Sequence, residues 1–343
     1  MELTIQCKGK EGRISLMEGK TEAGYLTFDL ADRRLAYATH TVVQPEYQGQ
    51  GLAAKLVAAL VDWCDARGLL IEPVCSYVQR LSERPGRLAQ LLDTHSEAES
   101  YIEQLRLLGS DKAAEQAKRY FKTNEGAYGA GDIFLGVRVP VVRSLRLNPN
   151  GPTGYKTRQL SRQTLIDLWA SPYHEARLLG YHAIAQWAEQ VDCPQSQEQI
   201  YQLYLAHAER CNNWDLVDCS APQVIGMYWA ERNAFERSEA LRRLAQSPNM
   251  WIQRIAIVGT LGLIRRGIYQ DTFILVEELI GHKHDLIHKA SGWMLRELGK
   301  HAGLDLLRAW LDQNATRLAR TALRYAIEHL PEDERQHYLC LPR

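Results

Sequence analysis

The sequence predicts two domains of unlike class, a small α/β domain followed by an all-α solenoid. Three observations carry this reading. The chain has 343 residues, and at roughly 150 residues per domain that length fits two. Residues 1–92 alternate short β-branched runs with one strongly apolar helix. From residue 97 onward every long segment carries apolar residues at helical spacing. Charged residues at 24% and hydrophobic ones at 45% are the balance of a globular chain with buried cores.

Taken in order, residues 2–6, 13–17, 24–30 and 33–43 read as strands. They are short, rich in apolar or β-branched residues, and divided by Gly, Lys and Asp. LAAKLVAALVDWCDARG, from Leu52 to Gly68, is apolar at helical spacing and stops at a glycine. LLIEPVCSYV at 69–78 returns to strand character, and a short helix is expected after Pro85. Polar DTHSEAES at 93–100 reads as the linker between a domain at 1–92 and one at 101–343. Helices are expected at 97–108, 111–122, 138–146, 161–170, 173–190, 195–209 and 213–231, then at 235–246, 248–266, 270–280, 283–300, 302–313, 315–329 and 331–338. Antiparallel helix pairs of this length indicate an α-solenoid of HEAT type. The longest interruption is LNPNGPTGYK at 147–156.

Composition narrows the function classes. Formal net charge is 0, so nothing in the total announces a nucleic-acid partner, although a balanced total is compatible with one basic face. No apolar run approaches the roughly 18 residues of a membrane span. MELTIQCKGKEGR has no apolar signal core, so a cytoplasmic protein is expected. The seven cysteines are scattered and odd in number, with no CxxC pair, which fits reduced thiols. His284 and His288 stand four apart, but Asp285 replaces the Glu of an HExxH helix and no third ligand is signalled, so no metal is expected. GAYGAGD at 126–132 follows no strand and precedes no GK[ST], and reads as a turn. Oligomeric state is not readable.

Three later segments concentrate Trp, Asp and basic residues. In NWDLVD (213–218), Trp214 and Asp218 share one helix face. In SPNMWIQRIAIVGT (247–260), Trp251 and Arg254 lie three apart. In HDLIHKASGWMLRELGK (284–300), Lys289, Trp293 and Arg296 recur at helical spacing. Lys118, Arg119, Lys122, Arg138, Arg143, Arg265, Arg266, Lys300, Arg317, Arg320 and Arg324 flank these segments. A solenoid sets equivalent helices side by side, so one positive wall for a DNA backbone is expected.

Together with YFKTNEGAYGAGDIFLGVRVP (120–140) and RTALRYAIEHL (320–330), these motifs closely resemble the DNA alkylation repair family of AlkD-like glycosylases over about residues 98–340. The resemblance implies a HEAT-like stack that removes cationic 3-methyladenine and 7-methylguanine from duplex DNA without a cofactor. It implies that Asp218 is the catalytic carboxylate and that Trp214 and Trp293 pack on the sugar and backbone of the lesion. Arg254 and Arg296 are implied at phosphates, with the less central Tyr120 also on DNA; Lys289, at helical spacing with Trp293 and Arg296, is expected on DNA with them. One carboxylate suffices chemically, because an alkylated purine is already a good leaving group and needs no general acid.

In the first domain, QGQGLA at 48–53 fits a glycine turn between strand and helix. Gly49 and Gly51 there allow backbone N–H groups to approach a pyrophosphate. With THTVVQPEYQGQGLAAKLV (39–57) and ARGLLIEPVCSYV (66–78), the domain resembles the short, single-domain GCN5-related N-acetyltransferase (GNAT) family over about residues 1–92. That implies acetyl-CoA held along Val43, Gln48, Gly49, Gln50, Gly51, Leu52 and Ala53, with Cys75 and His40 as possible acetyltransferase residues. The expected function is an alkylpurine DNA glycosylase carrying an acetyl-CoA-binding module. The alternatives are an acetyltransferase, or a HEAT scaffold that binds DNA or protein without cutting.

Overall fold

The computed structural model describes residues 1–30, 35–82, 87–88, 97–145, 160–191 and 193–342. The chain divides into two compact units, one built on Met1–Glu99 and the other on Ser100–Arg146 with Gln159–Arg343.

The first unit holds β1 (Glu2–Lys8), β2 (Glu11–Glu18), β3 (Thr21–Leu30), β4 (Leu35–Val43) and β5 (Leu70–Pro73), which follow one another across a single sheet in chain order. The first three pairings are antiparallel. The last is parallel, as a helical crossover between β4 and β5 permits. That crossover is α1 (Leu52–Asp65), whose buried Leu52, Leu56, Val57, Leu60, Val61 and Cys64 fall at helical spacing. They form one core with Ile14, Leu26, Phe28 and Ala36 of the sheet.

The strand expected at 69–78 is shorter. It ends at Pro73, and α2 (Ser76–Ser82) begins three residues later. The reason is local: the Ala38 carbonyl accepts from both Val74 N and Cys75 N, at 3.1 and 2.8 Å, which closes the ladder. Residues 33–34, 83–86, 93–96 and 147–156, on which parts of the expected strand, short helix, linker and loop fall, lie outside the described residues.

The second unit is helical. After α3 (Glu97–Leu108), α4 (Asp111–Tyr120) and α5 (Val139–Leu145), the helices fall into two rows. One row is α6 (Arg162–Ala170), α8 (Pro194–Ala206), α11 (Ala234–Ala245), α13 (Gln270–Glu278) and α15 (Leu304–Asn314). The other is α7 (His174–Gln190), α10 (Ala221–Ala230), α12 (Met250–Ile264), α14 (Asp285–Ala302) and α16 (Arg320–Ala326). In this second row α7 packs on α10, α10 on α12, α12 on α14 and α14 on α16. α7, α10, α12 and α14 also pack on first-row neighbours, which is the layering of a HEAT-like solenoid. α17 (Glu332–Cys340) ends the unit.

Small residues let the second row close up. A Cβ on Gly262 would stand 2.1 Å from the Pro222 carbonyl oxygen, and one on Gly226 2.4 Å from the Gly262 Cα. Backbone meets backbone there, so an alanine would force the helices apart at about 1–3 kcal/mol.

Two expected helices are corrected. The one at 213–231 is broken at Cys219 and Ser220 into α9 (Trp214–Asp218) and α10. Pro222 in the first turn of α10 cannot donate the backbone bond that a continuous helix needs. The one at 315–329 is reduced to α16. Among the described residues no helix is long and apolar enough to cross a membrane.

Candidate active site

The break before α10 makes the site. Asn213 caps α9, its side chain accepting from Trp214 N at 2.9 Å, and Asp218 stands at the last turn of that short helix. Asn249 caps α12 in the same way, accepting from Trp251 N at 2.9 Å. That places Arg254 just beyond the first turn, facing Asp218. Arg254 Nε and Nη2 donate to Asp218 Oδ1 at 3.1 and 2.9 Å, and Nη2 also reaches Oδ2 at 2.9 Å. Its Nη1 donates to the Leu286 carbonyl in the first turn of α14 at 2.5 Å. Three neighbouring elements are thus tied by one guanidinium.

Arg254 is 4% exposed, whereas the Asp218 side chain keeps 21% exposure. Burial pushes the Asp218 carboxyl above the ordinary value, Arg254 pulls it down, and nearby Asp215 pushes it up again, leaving it raised. A carboxylate forked on one side and open on the other directs its field toward the open side.

An aromatic wall stands beside it. Trp214 stacks on Phe121 at 5.3 Å and 13°, and Phe121 stacks in turn on Phe134 at 5.0 Å. Tyr120, 67% exposed, meets Trp214 edge-on at 5.8 Å. Burial raises the pKa of the Tyr128 hydroxyl, and the Trp214 side chain lies close enough to oppose that rise. Tyr128 touches Trp251 and His284 edge-on at 6.2 and 6.4 Å, with the Lys122 ammonium 5.9 Å from its ring. Neither Phe121 nor Tyr128 was singled out from the sequence. Their signal was present in YFK and GAYG, but nothing local shows that these turns fold back on Trp214.

Behind the wall lies a buried charge network. His174 Nδ1 meets Asp132 Oδ2 at 3.0 Å and Nε2 meets Asp215 Oδ2 at 2.8 Å. Asp132 also pairs with Arg177 and accepts from Asn213 Nδ2 at 3.0 Å. Burial works against charge on the His174 ring, but Asp215 and Asp132 outweigh it and raise the ring to about 9. Asp132 is held below the usual range, His174 and Arg177 overcoming its burial. Glu175 fixes the adjoining segment by accepting from Leu135 N, Gly136 N and Val137 N at 2.9, 2.8 and 3.2 Å.

On α14, Asp285, Lys289, Trp293 and Glu297 repeat every four residues and share a face. Lys289 pairs with Asp285 at 2.9 Å, and Trp293 Nε1 donates to Glu297 at 3.2 Å. Arg296 pairs with Glu328 and, at 3.5 Å, with Glu297. The described contacts tie Lys289 electrostatically to Tyr128, whereas the polar contacts described for Trp293 and Arg296 are with Glu297 and Glu328.

Four of the basic residues expected along one wall have described positions or partners. Arg265 and Arg266 follow the C-terminal end of α12, the opposite end from Arg254. Lys300 pairs with Glu297, and Arg320 with the Leu339 carbonyl. Among the described residues no group of three or more His, Cys, Asp or Glu is arranged to hold a metal.

In the first unit β4 ends at Val43, and a short turn at Pro45–Tyr47 leads to Gln48, Gly49, Gln50 and Gly51. Gly49 and Gly51 have φ of 79° and 74°, the left-handed conformation from which anion-binding backbone nests are made. Gly51 caps α1, which opens with Leu52 and Ala53. β4 pairs with β5 only from Leu35 to Ala38, so Thr39–Val43 has no described strand on that side. Burial pushes the Cys75 thiol up, but nearby polar groups of Thr41, Tyr77 and Val78 outweigh it and hold the thiol below its ordinary value. His40 instead approaches Thr27 at 3.4 Å. His40 and Thr41 are successive on a strand and point to opposite faces, so the structure does not bring His40 to Cys75.

Residues 101–330 match the family model described as DNA alkylation repair enzyme, and residues 13–91 match that of GCN5-related N-acetyl-transferase. Among solved structures, a protein described as a predicted DNA alkylation repair enzyme from Enterococcus faecalis shares 15% identity, at a TM-score of 0.45 over 65% of this chain and 97% of that one. A second belongs to a family described as related to the HEAT-like repeat DNA glycosylases with affinity for branched DNA structures. It shares 11% identity, at a TM-score of 0.42 over 67% of this chain and 83% of that one. No curated protein matches.

Proposed function

The chain belongs to the DNA alkylation repair enzyme family, and from that premise we propose that it hydrolyses the N-glycosidic bond of cationic alkylpurines, 3-methyladenine and 7-methylguanine, in duplex DNA. The observation that carries the reading is Asp218, a partly open carboxylate forked by one buried arginine and set beside an aromatic wall. A scaffold that only binds DNA has no use for a carboxylate whose charge burial opposes.

The chemistry needs little else. The purine is positively charged, so the bond to C1′ breaks with its electron pair leaving on a now neutral base. Positive charge grows on the sugar as it does so. Asp218 opposes that charge directly, and the faces of Trp214 and Trp293 add cation–π attraction. Water then adds to C1′, and Asp218 accepts its proton. Arg254 acts here as a positioning residue that keeps Asp218 ionised and aimed; buried as it is, it is poorly placed to clamp a phosphate itself. Lys289, Arg296 and Tyr120 are proposed on the DNA backbone.

For the first unit, domain boundaries at 1–92 and 101–343 are proposed, with acetyl-CoA bound along Val43 and Gln48–Ala53. The left-handed glycines, and the stretch Thr39–Val43 with no described strand on its β5 side, support that placement. Cys75, with its lowered thiol, is favoured over His40 for any acetyl transfer. The test of the main reading is free base released from duplex DNA carrying either lesion. Release by the wild type and not by Asp218→Asn is expected. No release by a folded, DNA-binding wild type would turn the reading to a binding scaffold.

A further inference from the structure

We propose that the chain self-associates through β1, a second copy pairing antiparallel with it about a two-fold axis at Ile5. β1 is the first strand of the sheet, and all of its residues but Thr4 are exposed. It is seven residues long, pairs with β2 without a bulge, contains no proline, and carries charge only at its ends, Glu2 and Lys8. Edges of this kind are the ones natural proteins otherwise blunt.

The hairpin fixes which groups face outward. Lys8 and Glu11 flank a two-residue turn in which Gly9 has φ of 65°, and the pair flanking such a turn exchanges backbone bonds. Alternation then gives Lys8, Gln6, Thr4 and Glu2 to β2. The N–H and C=O groups of Leu3, Ile5 and Cys7 are left for the open side.

The side chains agree. Leu3 and Ile5 stand opposite Leu16 and Ile14, so they share the face of the sheet that forms the core. Leu16 and Ile14 are 4% and 0% exposed, whereas Leu3 and Ile5 are 41% and 37% exposed. The apolar face therefore runs on past the part that is covered.

A second copy of the same strand satisfies both features in one register. With Ile5 opposite Ile5, Leu3 falls opposite Cys7 in each direction, and every outward N–H and C=O of these residues finds a partner. The same register sets Glu2 of each copy against Lys8 of the other. Sliding the strands by two residues loses a bonded pair and separates the charges. The joined strip is narrow, so a concentration-dependent equilibrium is expected in place of an obligate dimer.

Sedimentation of the full chain across a wide concentration range tests this. The wild type is expected to dimerise. Glu2→Lys and Lys8→Glu, each alone, set like charges opposite one another and are expected to weaken the dimer at least tenfold. Mixing the two variants restores both ion pairs and should restore association to near the wild-type level. Independently, Ile5→Cys in a Cys7→Ser background is expected to form an intermolecular disulfide on mild oxidation, because residues in such a pair lie about 5.5 Å apart. A wild type that stays monomeric overturns the proposal. So does a dimer indifferent to Glu2→Lys, or a mixture that fails to recover.

Discussion

Two carboxylates in the helical unit, Asp132 and Asp218, are held in opposite ways. Asp132 takes its contacts from three different residues, His174, Arg177 and Asn213, its side chain is 5% exposed, and its pKa is lowered. Asp218 takes its contacts from one guanidinium, is 21% exposed, and has a raised pKa. The first charge is fully answered and contributes to the fold. The second is under-compensated, which stability alone does not explain. A perturbed carboxyl beside an aromatic wall is the pattern expected of a working group, and the contrast is why Asp218 is the acid proposed to work.

The largest expected effect breaks the answered network. His174→Ala leaves Asp132 and Asp215 buried without the cation between them. Loss of one partner of a buried pair costs about 3–5 kcal/mol, and chemical unfolding should show it. Excision should fall as well, since Asp215 lies in α9 with Trp214 and Asp218. A stability change under about 0.5 kcal/mol, the range of a surface substitution, would mean that the network holds nothing.

Asp218→Asn sharpens the contrast from the other side. Excision should fall about 10²–10³-fold, the scale for losing a group aimed at developing charge. Stability should fall less than on His174→Ala, because the amide keeps the shape of the carboxylate and Arg254 keeps its bond to the Leu286 carbonyl. A raised folded pKa means that the neutral form suits the fold better, and the amide imitates that form. An unfolding free energy that drops in step with activity would return Asp218 to a structural role.

The two sites also predict different pH limbs. Asp218 must be ionised to act, so excision should fail on acidification at a pH above the ordinary carboxylate value of 3.8. His174 has a folded pKa raised from 6.5 to about 9. Its stabilisation is therefore complete below the unfolded value and is lost as pH rises through 9, amounting to about 3 kcal/mol at roughly 1.4 kcal/mol per unit. Asp132, being depressed, acts in the reverse sense and contributes above its unfolded value. Unfolding measured from pH 6 to 10 should show the alkaline loss in the wild type and not in His174→Ala; equal slopes would remove His174 as its cause.

What the sequence revealed divides along the same line. Helical period located the long helices, and the NWDLVD, WIQR and HDLIHK segments were visible because each is a local cluster. The break between α9 and α10 was also signalled, by Ser220 two residues before Pro222, but the apolar run through 213–231 obscured it. The Asp132–His174–Asp215 network was not legible at all. Its members lie more than 40 residues apart, and a lone histidine in an apolar helix carries no sign of what it will meet. The same holds for Arg254: sequence shows a cation near a tryptophan, and only packing shows that it is turned inward onto Asp218. Side chains recruited by tertiary contact to position others are the part that a single sequence conceals.

The smallest expected effect tests a third way of holding charge, the exposed pair. Lys289 pairs with Asp285 four residues earlier and its side chain is 39% exposed. Such a pair is worth little to the fold, so Lys289→Ala should shift stability by less than about 0.5 kcal/mol. If Lys289 meets a DNA phosphate, binding should weaken evenly across sequences, and the dependence of affinity on salt should flatten by about one phosphate contact. Arg254→Ala should leave that slope unchanged, because the buried guanidinium is already committed to Asp218 and Leu286. Measured together, the two slopes separate a residue that touches DNA from one that aims the residue that does. A flattened slope for Arg254→Ala, with Lys289→Ala unaltered, would reverse the two assignments.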